Sequence, residues 1–322
     1  MFTLPELEAA AEVVGRHMPP TPQHNWPLLS RRAGCEVFVK HENHTPIGAF
    51  KVRGGITYMN ELRQSGAKIG GVITATRGNH GQSVARAATA VGLKSVILVP
   101  HGNSREKNAA MRAFGAELIE HGADFDEAKD EAFRLAEVRN LHIVPPFDPM
   151  LVKGVATAGR EMLTALQDLD TVYVPIGMGS GACGMIMARD LIGSKTNVVG
   201  VIAANAPCIA LSLAAGQPVV TNTAATFADG MACRVPDPLA LDVLKRGAAR
   251  IVQVSEDEIA DAMRAYYEDT HNLAEGAGAA AFAALMQERG KMAGKRVGVV
   301  LSGGNVDREV FAKVLAGETP KV

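Results

Sequence analysis

The sequence predicts an α/β protein whose strands form parallel sheets covered on both faces. Three observations carry this. Strand-like and helix-like segments alternate at regular intervals along nearly the whole chain. Several strands are apolar at almost every position, as in Val96-Ile97-Leu98-Val99, a pattern expected when both faces of a sheet are buried. The chain has 322 residues, 47% of them hydrophobic, which is enough for two domains or two lobes sharing a core.

In order, residues 4–17 carry helical spacing of Leu, Ala and Val until Pro19, Pro20 and Pro22 break it. A short apolar strand, Val37-Phe38-Val39, runs into a turn marked by Pro46 and Gly48. Helix-like 58–62 and 81–91 flank an apolar strand at 71–75. A strand at 95–99 ends at Pro100, and 105–114 reads as helix. Residues 117–119 form a strand, 124–139 a charged amphipathic helix and 142–144 a strand. The alternation continues with helix 157–166, strand 171–176, helix 184–192, strand 198–203 and helix 207–215. Then come strand 250–252, helices 257–270 and 277–287, strand 297–301 and a last helix after Asn305. The small residues Ala274 to Ala280 open a helix packed closely against a neighbour. No tandem repeat, low-complexity tract or Ser/Gly linker interrupts the chain.

Composition excludes several function classes. Net charge is −1, from 33 basic and 34 acidic residues, with no basic stripe or acidic tail, so nucleic acid and anionic membranes are not expected partners. Aromatics at 5% weaken any base-stacking role. The N-terminus lacks a basic segment before an apolar core, so it does not read as a signal peptide. No apolar run approaches the roughly 20 residues of a membrane span. The four cysteines, Cys35, Cys183, Cys208 and Cys233, are scattered and read as buried free thiols of a reducing, cytoplasmic compartment.

Chemistry concentrates in four stretches. Lys51 lies between Phe50 and Val52 at the start of a helix, where desolvation and the helix N-terminus lower a lysine's pKa. A neutral amine there can form a Schiff base with a carbonyl. Taken alone, a snorkelling surface lysine is the simpler reading. Three glycine-bearing turns follow apolar strands: Thr76-Arg77-Gly78-Asn79-His80-Gly81, Gly177-Met178-Gly179-Ser180-Gly181 and Ser302-Gly303-Gly304-Asn305. In open parallel sheets ligands bind beyond the carboxyl ends of strands, and glycine turns there expose N–H groups to an anion. Gly179-x-Gly181-x-x-Gly184 also fits a dinucleotide fingerprint, which makes a nicotinamide-dependent dehydrogenase a rival. That fingerprint needs an acid at the end of the next strand, and Ile202-Ala203-Ala204-Asn205 supplies none. No Gly-Lys-Ser/Thr follows to make a nucleotide P-loop, so a phosphate monoester fits best.

A phosphate turn with a Schiff-base lysine points to pyridoxal phosphate (PLP). The sequence resembles the fold type II PLP enzymes (tryptophan synthase β-like), in particular the serine/threonine dehydratase and serine racemase family. Gly48-Ala49-Phe50-Lys51-Val52-Arg53-Gly54-Gly55 looks like that family's Ser-Phe-Lys-x-Arg-Gly-Ala motif. Thr76 to Gln82 is similar to its Ser-Ser-Gly-Asn-His-Gly/Ala-Gln loop. Gly177, Met178, Gly179, Ser180 and Gly181 match its tetraglycine phosphate loop, and Ser302 to Asn305 its pyridine-binding motif. The motifs occur in family order across nearly the whole chain.

The resemblance implies two parallel-sheet domains with the cofactor in the cleft. Residues 1–52 and 150–322 would form the large PLP-binding domain and 53–149 a small inserted one. Lys51 would carry the cofactor and, once displaced by substrate, remove the Cα proton. Phe50 would pack near the ring, and Asn79 would hydrogen-bond its 3-hydroxyl oxygen. Backbone groups of Thr76, Gly78 and His80 would hold the substrate carboxylate, with His80 shaping the loop rather than acting as base. Ser302 would face the pyridine nitrogen, favouring β-elimination because a hydroxyl does not keep the ring protonated as an Asp would. Glu275 matches a family acid near the ring, though a carboxylate starting a helix accounts for it equally. The chain ends shortly after the last motif, so it is expected to lack the regulatory domain of biosynthetic threonine deaminases.

Two departures stand out. Where racemases and many dehydratases of the family have a second Ser in the loop, this chain has Arg77. A guanidinium does not titrate in the working range, so Arg77 is a poor acid–base partner for Cα. It is expected to suppress racemisation and bind a substrate carboxylate, or else to point into solvent. The strand after the phosphate loop ends without the two carboxylates that bind a divalent cation in eukaryotic-type racemases, so no metal is expected there. Asp229 is the nearest other acid, and its role stays open. The expected reaction is dehydration of an L-β-hydroxy amino acid, such as L-threonine or L-serine, to a 2-oxo acid and ammonia. Phenylserine, 3-hydroxyaspartate, a hydroxyectoine-derived substrate or serine racemisation are the alternatives. A catalytically dead amino-acid sensor would keep the cofactor and release no ammonia. A homodimer is implied by the resemblance alone.

Overall fold

The computed structural model describes residues 1–321. The ends of the chain build a six-stranded sheet from β1 (Gln23–Asn25), β2 (Glu36–His41), β7 (Thr171–Pro175), β8 (Asn197–Ala203), β9 (Arg250–Val254) and β10 (Arg296–Leu301). Its order is β1-β2-β10-β7-β8-β9. The middle of the chain builds a four-stranded sheet from β3 (Val72–Ala75), β4 (Ser95–Val99), β5 (Glu117–Glu120) and β6 (His142–Ile143), in the order β5-β4-β3-β6. Every pairing is parallel except β1 with β2. The antiparallel β1, at a sheet edge, is too short and polar to stand out in the sequence.

The helices are α1 (Leu4–Gly15), α2 (Pro27–Ala33), α3 (Lys51–Gln64), α4 (Asn79–Ala90), α5 (Arg105–Ala113), α6 (Phe125–Arg139) and α7 (Pro149–Ala165). They continue with α8 (Ser180–Ile192), α9 (Cys208–Ala215), α10 (Pro238–Gly247), α11 (Glu256–Thr270), α12 (Gly276–Gln287), α13 (Arg289–Met292) and α14 (Arg308–Leu315).

Both faces of the six-stranded sheet are buried, which is why its strands lack polar alternation. Val37, Val39, Val199 and Val201 pack on one face with α11 and α12, while Phe38, Val172, Val174 and Val198 pack on the other with α7 and α8. Helix α12 is buried all round, as its Ala-rich sequence requires. A Cβ on Gly278 would lie 2.2 Å from the Gly303 carbonyl oxygen, so the small-residue segment does serve close packing.

The last strand lies in the middle of the sheet. Leu301 pairs in register with His41, so the segments that leave β2 and β10 emerge side by side. The chain then stitches them together. Phe50 N donates to Ser302 O at 2.9 Å, Gly304 N to Gly48 O at 2.9 Å and Asn305 Nδ2 to Ile47 O at 2.8 Å. Gly48 sits at φ +69°, and a side chain there would strike Asn305.

Helix α3 begins at Lys51, as expected, while α4 at Asn79 and α8 at Ser180 begin earlier than their spacing suggests. Their first turns hold glycines, which weaken helix propensity. Packing explains two of these glycines: a Cβ on Gly54 would come within 2.7 Å of the Leu151 carbonyl oxygen, and one on Gly81 within 2.4 Å of Met111 Sδ. Helix α7 begins at Pro149, where Asp148 caps Met150 N at 2.7 Å, rather than at residue 157. Helix α10, capped by Asp237, and the seven-residue α2 are further elements the spacing did not reveal. All four cysteines are buried and free. Among the described residues, no helix is long and apolar enough to cross a membrane.

The α3–α7 contact is tight enough to test. A Cβ on Gly154 would sit 2.3 Å from both the Arg53 carbonyl oxygen and Thr57 Oγ1. Gly154→Ala is expected to destabilise the protein by about 1–3 kcal/mol, the usual cost of overpacking a core. Denaturant titration should show a lower midpoint at unchanged slope.

Candidate active site

The site lies in the cleft where the carboxyl ends of β2, β3, β7 and β10 face one another. Lys51 is the first residue of α3. The residue is half-buried overall, but its ammonium is enclosed, and that desolvation lowers its pKa to about 8 from an ordinary 10.5. Lys51 Nζ donates to Ser180 Oγ at 3.1 Å. Ser180 opens α8, and Gly179 before it holds φ +106°. The first N–H bond of the helix runs from Cys183 N to Gly179 O, so the N–H groups of Ser180, Gly181 and Ala182 are left for an anion. The Phe50 ring lies against Gly181, where a Cβ would touch it at 3.6 Å, and Lys51 Nζ stands 5.3 Å from the ring centroid. Met178 Sδ lies 3.4 Å from Cys233 Sγ. Buried Ser302 follows β10 directly.

Asn79 opens α4 with its amide fixed at both ends. Its Nδ2 donates to Glu275 Oε1 at 2.8 Å, and its Oδ1 accepts from Asn305 Nδ2 at 2.8 Å. One amide hydrogen remains to donate. Turning the amide over would set its oxygen against the Glu275 carboxylate. Glu275 is buried before α12, and burial pushes its pKa up to about 7.

The turn after β3 departs from expectation. Thr76 N donates to Leu98 O at 3.0 Å and Gly78 N to Thr76 Oγ1 at 3.0 Å. The backbone donors of Thr76 and Gly78 are therefore committed within the protein. The N–H groups of Asn79 and His80, in the first turn of α4, have no intrahelical acceptor and stay available to a ligand. Buried His80 has Nε2 3.4 Å from Val144 O, and burial, then Lys51, depresses its pKa to about 3. It is neutral in the working range. Arg77 is exposed, with no side-chain hydrogen bond or ion pair to the described residues.

A buried ion network lies beneath this surface. The fully buried Arg53 pairs with Glu42 at 2.7 Å and with Glu161 at 2.7 Å, and donates to Thr157 Oγ1 at 2.9 Å and Thr21 Oγ1 at 3.2 Å. Lys40 adds a second cation, 2.6 Å from Glu161. Burial opposes the charge on Arg53, but Glu42 and Glu161 outweigh it and raise its pKa. Ser83 Oγ donates to the Lys51 carbonyl at 2.6 Å. Sequence reasoning missed both, although Ser83 lies one helical turn after Asn79.

An amine of lowered pKa touching an anion-binding helix end fits a phosphate-bearing aldehyde cofactor. The family model described as pyridoxal-phosphate dependent enzyme matches residues 14–303. The chain belongs to this family. It is 34% identical over 316 residues to the L-threonine ammonia-lyase of Thermotoga maritima, covering 98% of this chain and 78% of that one. It is 34% identical over 290 residues to the biosynthetic L-threonine dehydratase IlvA of Pasteurella multocida, covering 89% of this chain but 56% of that relative, little more than half its length. The processed form of threonine deaminase isoform 2 from Solanum lycopersicum superposes with a TM-score of 0.88 at 31% identity, covering 98% of this chain and 95% of that one. The architecture is thus fold type II, and the family's cofactor is PLP.

In this PLP family member the lowered pKa of Lys51 has a kinetic signature. The rate at which cofactor-free protein takes up PLP is expected to rise about tenfold per pH unit and level off above about pH 8. Stopped-flow absorbance measures it. A rate still climbing steeply at pH 10 would show that burial does not tune this lysine.

Proposed function

We propose that the protein is a PLP-dependent ammonia-lyase that dehydrates an L-β-hydroxy amino acid, with L-threonine the first substrate and L-serine the second. The observation that carries this reading is the Lys51 amine against Ser180 at the head of α8. The names of its threonine ammonia-lyase relatives supply the substrate class. The net change is β-hydroxy amino acid to 2-oxo acid and ammonia, with the water lost in elimination regained in hydrolysis.

Bound PLP would supply the electron sink that makes a substrate Cα–H acidic. The rest falls to the chain's own residues. Lys51 would hold the cofactor through its amine, and the same amine, once free, would take the Cα proton. A pKa near 8 leaves an appreciable neutral fraction at neutral pH, as a base of this kind needs. The turn Gly177-Met178-Gly179-Ser180-Gly181 would hold the phosphate through N–H groups and the Ser180 hydroxyl. Phe50 would pack beside the ring. The spare amide hydrogen of Asn79 would donate to the ring hydroxyl oxygen, and the Ser302 hydroxyl would meet the pyridine nitrogen. The substrate carboxylate is held by the N–H groups of Asn79 and His80, with the Thr76 hydroxyl beside them and Gly78 allowing the close approach. Neutral His80 shapes this turn. No metal takes part in this scheme. By resemblance the working form is a homodimer, which its mass in solution would test, and the free cysteines suit a reducing cytoplasm.

Arg77 favours a second reading. An exposed guanidinium without a partner, beside the carboxylate-binding turn, suits a substrate with a second carboxylate such as 3-hydroxyaspartate. A panel of β-hydroxy amino acids, including phenylserine, scored for 2-oxo acid, ammonia and enantiomer, separates the readings. Threonine and serine are expected to yield both products, and Lys51→Ala none. Preference for hydroxyaspartate, lost in Arg77→Ser, would replace threonine as substrate. Appreciable D-serine from L-serine would contradict the assignment of Arg77 as a block to racemisation. No ammonia from any substrate would leave a binding protein.

A further inference from the structure

Helix α5 packs with the four-stranded sheet, yet the start of α5 reaches across the cleft at three points. Ser104 Oγ bonds the Asp307 carboxylate, and Glu106 Oε1 accepts from Arg308 N at 3.0 Å. Lys107, only 6% exposed, sets its ammonium 2.5 Å from Asp229 Oδ2 and 4.0 Å from Glu275 Oε2. Its stem runs beneath the turn before α4: a Cβ on Gly78 would lie 2.5 Å from Lys107 Cδ. A side chain at Gly78 would have to displace the stem of Lys107.

Glu275 explains why that lysine matters to the site. It is 3% exposed, and its Oε2 is buried with no hydrogen-bond donor. Oε1 accepts from Asn79 alone. A buried carboxylate with one neutral donor is costly unless a cation lies close. Lys107 is the nearby cation, and it opposes the upward push on the Glu275 pKa from burial and Asp229. Lys107 itself loses to burial and gains from Asp229, Glu275 and Asp307, with its pKa raised on balance. A continuous chain of contacts follows, from Lys107 through Glu275, Asn79 and Asn305 to the Ile47 carbonyl in the loop that carries Lys51.

We propose that Lys107 is a positioning residue for the cofactor site: it latches α5 to the six-stranded unit through Asp229 and, through Glu275, fixes the orientation of the Asn79 amide. The inference rests on the cofactor site proposed above. Lys107 touches neither cofactor nor substrate in this scheme. Its removal acts on cofactor affinity and on closure of the cleft.

The test uses the purified full chain as wild type, Lys107→Met, Glu275→Gln and the double variant. PLP dissociation constants come from absorbance titration of cofactor-free protein. Hydrogen exchange over α5 (Arg105–Ala113) reads the latch without cofactor. Lys107→Met is expected to weaken PLP binding about tenfold, shift the pH dependence of the bound cofactor's spectrum and speed α5 exchange. The double variant should bind no more weakly than the weaker single one, because one residue acts through the other. Additive effects, or unchanged affinity, spectrum and exchange in Lys107→Met, overturn the proposal. If Lys107→Met fails to fold, the near-isosteric Glu275→Gln decides: the same weakening supports it and unchanged affinity overturns it. Wild type that takes up PLP independently of Lys51 would refute the cofactor reading instead, and α5 exchange would still decide the latch.

Discussion

The buried guanidinium of Arg53 is the constraint on which the site depends. It follows Lys51 by two residues on α3, and its donors are spent on Glu42, Glu161, Thr157 and Thr21. Glu42 lies just beyond β2 and Glu161 on α7, so one side chain ties a strand end and two helices to one point. Removing ions from water costs several kcal/mol each, and only near-ideal geometry offsets that. Here two cations and two carboxylates answer one another: Arg53 and Lys40, Glu42 and Glu161. Because an unpaired buried charge is so costly, α3 has little freedom to turn or slide. The Lys51 amine is thereby held toward α8.

Around that anchor the topology gathers the remaining parts. Placing β10 between β2 and β7 brings the C-terminal turn beside the loop that carries Lys51, and backbone hydrogen bonds join the two. Helices α4 and α8 both point their N-termini into the cleft, one with the Asn79 turn and the other with the Ser180 turn. Two positive helix ends and a desolvated lysine make a site for anionic groups without any excess of basic residues. That is how a near-neutral chain can offer a candidate phosphate-binding centre.

Much of this was legible in the sequence. The parallel sheets showed in strands apolar on both faces, and the residues proposed for the site, Lys51, Asn79, the Gly177–Gly181 turn and Ser302, could be picked out by their place beyond strands. What escaped has physical reasons. The helix starts at Asn79 and Ser180 were masked by glycines that local propensity reads as breakers. The committed donors of Thr76 and Gly78 could not be seen, because their acceptors are Leu98, across the sheet, and a side chain within the turn itself. Lys107 did not stand out in its helix, since nothing local announces that its ammonium ends beside Asp229 and Glu275.

By itself the sequence determined the alternation of elements, the residue types at each strand end and the order of the motifs, because hydrophobic period and turn chemistry are local properties. Tertiary structure alone decided which of those residues meet. Asn305 reaches Ile47 across 258 residues and Asn79 reaches Glu275 across 196. Such contacts depend on strand order and helix docking, which are set by burial summed over the whole chain. The lowered pKa of Lys51 belongs to both: its apolar neighbours anticipated it, and enclosure in the cleft produced it.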